Sequence, residues 1–122
     1  MYLEGVRLFA SAPPDLHGAM RSFFASLEEG ISADSASYLS AALNELGYHA
    51  TAFCFARQAW EMQPQHLYAG VNALRALRAM DRVHESEVFL ERLLMRRPPL
   101  NQWGMDRLEE VQGWLRGQGG GR

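Results

Sequence analysis

Lysine is missing from this chain: all twelve basic residues are arginine. Set against fourteen Asp and Glu, they leave a formal net charge of −2 and an isoelectric point near 6.1. A chain without positive excess lacks the electrostatic footprint of a nucleic-acid binder or of a protein held on an anionic membrane. The planar fork of arginine pairs with carboxylates and stacks on aromatic rings, which a lysine ammonium does poorly. The same usage is what a GC-rich bacterial genome encodes. Isoleucine occurs once, at Ile31, while Ala, Leu and Arg dominate, a bias that favours helix over sheet. Cysteine also occurs once, at Cys54, so no intrachain disulfide can form, and a reducing compartment is expected. No stretch approaches the ~18 apolar residues of a membrane span. The opening "MYLEGVRLFASAPP" is interrupted by Glu4, Gly5 and Arg7 and does not read as a signal peptide. The expected location is the cytoplasm, with no membrane partner.

What is present is helical periodicity. The 122 residues have room for one domain, placed at 1–116, and their 48% apolar and 21% charged content is ordinary for a globular protein. Residues 1–12 read either as a short helix or as an extended arm, one able to exchange between molecules, that ends at Pro13-Pro14. From Asp15, a residue suited to cap a helix, Leu16, Met20, Phe23, Phe24 and Leu27 fall on one helical stripe that Gly30 can stop. A second stripe uses Leu39, Ala42, Leu43 and Leu46 and stops at Gly47. A third, from about His49 to Met62, buries Ala52, Phe55, Ala56, Ala59 and Trp60. Val71, Leu74 and Leu77 mark a fourth, from about Leu67 to Met80. Val83, Ser86, Phe89, Leu90, Leu93 and Leu94 mark a fifth, closed by Pro98-Pro99. Leu108, Val111 and Leu115 mark a terminal helix over about 101–115, and residues 117–122 have nothing to bury and are expected to be a disordered tail. The fold class is all-α, built from antiparallel helices joined by short loops.

Candidate chemistry is sparse. His17, His49, His66 and His84 fall on different helices or turns, and no pair has the i, i+4 spacing of a zinc site. Cys54 sits between Phe53 and Phe55 on a helix expected to be buried, where a thiol acts as a small apolar residue. Glu28-Glu29 and Glu109-Glu110 read as solvated faces, and the only glycine cluster, Gly119 to Gly121, precedes no helix that could cradle a phosphate. No catalytic residue, metal or cofactor is expected, and the chain is not expected to be an enzyme.

Pro64 and Pro98 close two helical segments 34 residues apart. On that period one unit spans 33–66 and the next 67–100, with Gly47 and Asp81 at the inter-helix turns and Ala52, Ala59 and Ser86 at positions where helices approach closely. Leu93 departs from the small residue expected at the counterpart of Ala59. This layout resembles the tetratricopeptide (TPR) repeat, a helix–turn–helix unit of about 34 residues. The stretch "QPQHLYAG" followed by "ALRALRAMDRVHESEVFLERLL" is similar in layout to the small TPR-like chaperones of bacterial type III secretion systems. The resemblance implies a short solenoid of stacked hairpins with flanking helices, whose groove cradles a helix or extended peptide of another protein, such as a secretion-apparatus component.

On that registration the exposed groove positions are Ser37, Ala41 and Asn44 in the first unit and Tyr68, Val71, Arg75 and Arg78 in the second, a mixture suited to an apolar stripe with a few carboxylates. Trp103 and Trp114, eleven residues apart, can share one helix face and anchor a partner. Two units are few for a self-sufficient solenoid, so a bound partner or a homodimer would add stability. The alternative readings are a self-assembling structural subunit and a small all-α nucleic-acid-binding regulator. Against the second stands the basic patch Arg96-Arg97, too small for that role.

Overall fold

The computed structural model describes residues 2–11, 15–30 and 32–119. They form seven helices: α1 (Tyr2–Ala10), α2 (Leu16–Glu29), α3 (Ala33–Glu45), α4 (His49–Met62), α5 (Leu67–Ala79), α6 (Val83–Met95) and α7 (Gln102–Gly119). Among the described residues there is no strand. None of these helices is long and apolar enough to cross a membrane.

Side chains that satisfy orphan backbone donors set several of the starts. Asp15 accepts from the Gly18 N–H, Ser32 from Ser35, and Asn101 from Gly104. His66 caps α5 differently, because its Nδ1 accepts from the Ala69 N–H and its Nε2 therefore carries the proton facing Asp34, 2.7 Å away. Neither α4 nor α6 has a side-chain cap. Each follows a turn whose residue lies in the left-handed region, Gly47 at φ 89° and Asp81 at φ 57°. Tyr48 N–H then reaches back to Leu43 and Arg82 N–H to Leu77, closing both turns in the same way.

The 34-residue period is thus a structural one. Ala33 and Leu67 open α3 and α5, and His49 and Val83 open α4 and α6. The pairs α1/α2, α3/α4 and α5/α6 are antiparallel hairpins, and α7 closes the stack. Outside their own hairpins, α3 and α5 rest chiefly on α2 and α4, the second helices of the preceding hairpins. In addition α1, α3, α5 and α7 approach one another in series through their backbones, whereas α2, α4 and α6 meet through large side chains, Phe24 on Phe55 and both Phe53 and Trp60 on Phe89. A stack whose backbones approach more closely along one row of helices than along the other must curve, so α1, α3, α5 and α7 line its inner, concave side.

Alanine makes the close packing possible. Ala52, Ala56 and Ala59 of α4 and Ala69, Ala73 and Ala76 of α5 are all completely buried. Trp60, Leu74, Leu90 and Leu93 belong to one core cluster, and Phe23, Leu39 and Leu43 to a second nearer the N-terminus. Leu93, the residue too large for its repeat position, is accommodated by Gly70: a Cβ there would run into the Leu93 side chain. Large and small have exchanged places across the α5/α6 contact.

Three expectations need adjustment. Residues 2–10 are helical, so the choice between helix and arm is settled for them as helix, packed mainly on α2. The terminal helix continues beyond Leu115 to Gly119, into the segment expected to be a structureless tail, while residues 120–122 lie outside those described. Cys54 is exposed, because it points away from the face carrying Ala52, Ala56 and Ala59. Phe53 and Phe55 beside it are half-buried.

Ala59 is completely buried between helices, and Glu109 is exposed on α7. Ala59→Leu is expected to overpack its site and destabilise the fold by about 1–3 kcal/mol, whereas Glu109→Ala changes stability by under about 0.5 kcal/mol. Urea unfolding followed by circular dichroism measures both.

Candidate functional site

Three of the four inner helices carry an aromatic residue and, two turns later, a charged one. In α3 these are Tyr38 and Glu45, in α5 Tyr68 and Arg75, and in α7 Trp103 and Glu110. Residues seven apart share a helix face and lie about 10 Å apart along the axis. The stack therefore assembles two parallel rows on its concave side.

The aromatic row is continuous. The Tyr38 ring lies 5.2 Å from that of Tyr68, which lies 5.4 Å from Trp103. Tyr38 is backed by Phe23, stacked at 5.6 Å, and by Phe9, edge-on at 6.4 Å. Such contacts hold the rings in place by more than their buried area, so the row is pre-formed. Trp103 remains 37% exposed, which leaves an amphipathic ring on offer at one end. Burial pushes the Tyr68 hydroxyl up to about 12, opposed by the nearby side-chain amide of Asn72. Tyr68 thus stays neutral and presents a hydroxyl rather than a charge.

The charged row is mostly self-paired. Arg75 donates to Glu45 at 2.8 Å across α3 and α5, and Arg107 pairs with Glu110 at 2.9 Å along α7. Arg78 is different. Its guanidinium lies 5.9 Å from the centre of the Trp114 ring, and among the described residues no carboxylate pairs with it. Arg75, Arg78, Ala79, Glu110 and Trp114 line a shallow cavity of about 350 Å³. Arg78 is therefore an oriented cation beside a ring, available for a carboxylate.

The groove positions inferred from the sequence divide into two sets. Tyr68, Arg75 and Arg78 lie at the concave surface as expected. Ser37, Ala41, Asn44 and Val71 do not: the first two are completely buried, Val71 is 1% exposed and Asn44 is 7% exposed. They belong to the seam where α3 meets α5. Asn44 Nδ2 donates to the Asn72 carbonyl at 3.1 Å, and its Oδ1 accepts from His49 Nδ1 at 3.0 Å. Asn72 Nδ2 donates in turn to the Ser37 carbonyl at 3.1 Å. Asn44, expected to fix a ligand's register, fixes the register of two helices instead. The reason for the misplacement is rotational: a turn of about 100° moves a residue from groove to seam.

Tyr38 and the Glu45–Arg75 bridge were missed by the sequence reading. The signal that would have found them is the aromatic-to-charge spacing of seven, repeated on three helices.

Other parts of the molecule hold less chemistry. A wide depression of about 990 Å³ opens between the α4–α5 and α6–α7 turns beside His66, Met95 and Arg96. Its acid–base pair, His66 with Asp34, is engaged in capping α5. Among the described residues no group of three or more His, Cys, Asp or Glu could hold a metal ion.

Removing Asn44 deletes two hydrogen bonds, one to the Asn72 carbonyl across the α3/α5 seam and one to the half-buried His49 ring. Asn44→Ala is therefore expected to cost about 1–3 kcal/mol, and Arg75→Ala, which breaks a bridge between half-exposed side chains, under about 1 kcal/mol. Equilibrium urea unfolding of the two variants checks the difference.

No protein-family model matches the chain, and no curated protein matches it.

Proposed function

We propose that the concave face binds a helix or extended segment of another protein, making the chain a small TPR-like adaptor or chaperone. The observation that carries this reading is the double row on α3, α5 and α7. An aromatic strip about 10 Å from a row of charges suits a segment with an apolar stripe and acidic side chains. The 34-residue repetition of helix starts and turns supports the TPR likeness. Within that likeness, we favour a type III secretion chaperone acting in the cytoplasm on a secretion-apparatus component. The chain is then a holder rather than an enzyme, and its affinity comes from Tyr38, Tyr68 and Trp103 while Arg78 selects the partner's charge.

Arg78 is the residue to test, because Tyr68 is substantially buried and its loss would disturb folding and binding together. Arg78→Glu reverses an exposed charge on the concave side, and Arg92→Glu makes the same change on the exposed side of α6. Pull-down from the source organism, with cross-linking and mass spectrometry of the captured protein, is expected to show recovery falling at least tenfold for Arg78→Glu and unchanged for Arg92→Glu. Equal recovery by both variants would place binding elsewhere.

A further inference from the structure

The concave face is partly closed by the chain's own last helix. Helix α7 contributes Trp103 and Trp114, which sit against Tyr68 and Arg78 of α5. Its seating breaks the rule that the other inner helices follow. Whereas α3 and α5, outside their own hairpins, rest chiefly on the second helix of the hairpin before them, α7 leans on α5 and barely touches α6. A helix held along one side only has fewer contacts to lose when it leaves.

Several features of α7 point the same way. Among its described side chains only Gly104, Leu108 and Val111 are buried, against eight residues of the shorter α5. Gly113 and Gly117 face open space, so these helix-weakening residues have no packing reason to be there. Gly104 does have one, since a Cβ at that position would strike Leu67, so α5 and α7 approach closely there. The docked position also buries Arg107 Nε without a hydrogen-bond partner, a cost that water would remove on opening. The connection to α6 includes Arg97 in the left-handed region at φ 49°, followed by Pro98 and Pro99, and a 3.3 Å bond from Gln65 reaches the Arg96 carbonyl at its start.

We infer that α7 is a latch, undocking as a unit while α3, α4 and α5 stay folded, and thereby uncovering Leu67, Tyr68 and Arg78 on α5. The inference rests on the reading of the concave face as a docking surface only for its consequence: opening admits a partner segment to the concave face, and α7 closes again with Trp103 against it. The opening itself is a property of the free protein and is measured without a partner, so its failure is separate from any failure of that reading.

The experiment is amide hydrogen exchange on the full chain, resolved by residue, at several low denaturant concentrations. Amides of residues 105–112, the docked part of α7 and not its fraying end, are expected to exchange at least tenfold faster than those in the middle of α5. They should share one opening constant that small amounts of denaturant hardly change. Gly113→Ala, which meets open space, should slow that exchange up to about fivefold through helix preference alone. Leu108→Ala should speed it, with α3 and α5 protection unchanged in both variants. If residues 105–112 exchange only with global unfolding, as slowly as α5, the latch is rejected. Exchange that leaves α7 and α5 equally responsive to Gly113→Ala rejects it as well.

Discussion

The molecule depends on the clasp between α3 and α5, in which Asn44 and Asn72 each hold a backbone carbonyl of the neighbouring helix. Both residues are buried, so their amide groups cannot turn to water, and any other register of the two helices leaves them unpaired. The bonds run in opposite directions, Asn72 to the Ser37 carbonyl and Asn44 to the Asn72 carbonyl, which fixes sliding as well as separation. That fixed register brings Tyr38 to Tyr68 and Glu45 to Arg75. The concave face is a consequence of the seam beneath it.

The clasp has its own loose ends. Ser37 Oγ and Asn72 Oδ1 are buried without hydrogen-bond partners among the described residues. Polar atoms left unpaired at a helix contact weaken it relative to an apolar seam while still specifying its geometry. Alanines around them provide the closeness that such short side chains need, and Ala41 and Ala76 are completely buried. Tight register with moderate strength suits a surface that must be pre-formed yet belongs to a small stack.

Much of the architecture was legible in the chain. The prolines at 64 and 98, the turn at Gly47 and the alanines of α4 together give the hairpins and their 34-residue offset, because helix stops and small residues are local signals. Asp81 repeats the left-handed turn of Gly47 although it carries a side chain, so spacing located that turn where composition would not. What could not be read was rotation about each helix axis. Ser37, Ala41, Asn44 and Val71 are small or amphipathic enough to fit either seam or groove, and only contact with the neighbouring helix decides. Cys54 was misplaced between two phenylalanines for the same reason: its neighbours Phe53 and Phe55 lie half-buried on either side of the exposed position. Tyr38 escaped notice because it sits one helical turn later in its unit than Tyr68 does in the next, and the two rings meet only in three dimensions.

The central claim is that α3, α5 and α7 present one docking surface, with apolar contact along the rings and charge selection at Arg78. A structure of the chain with a captured partner tests it most directly. The account predicts a partner segment lying across Tyr38, Tyr68 and the region of Trp103, with an acidic side chain within about 4 Å of the Arg78 guanidinium. A partner seated instead on the outer helices α2, α4 and α6, leaving the aromatic row uncovered, would contradict it.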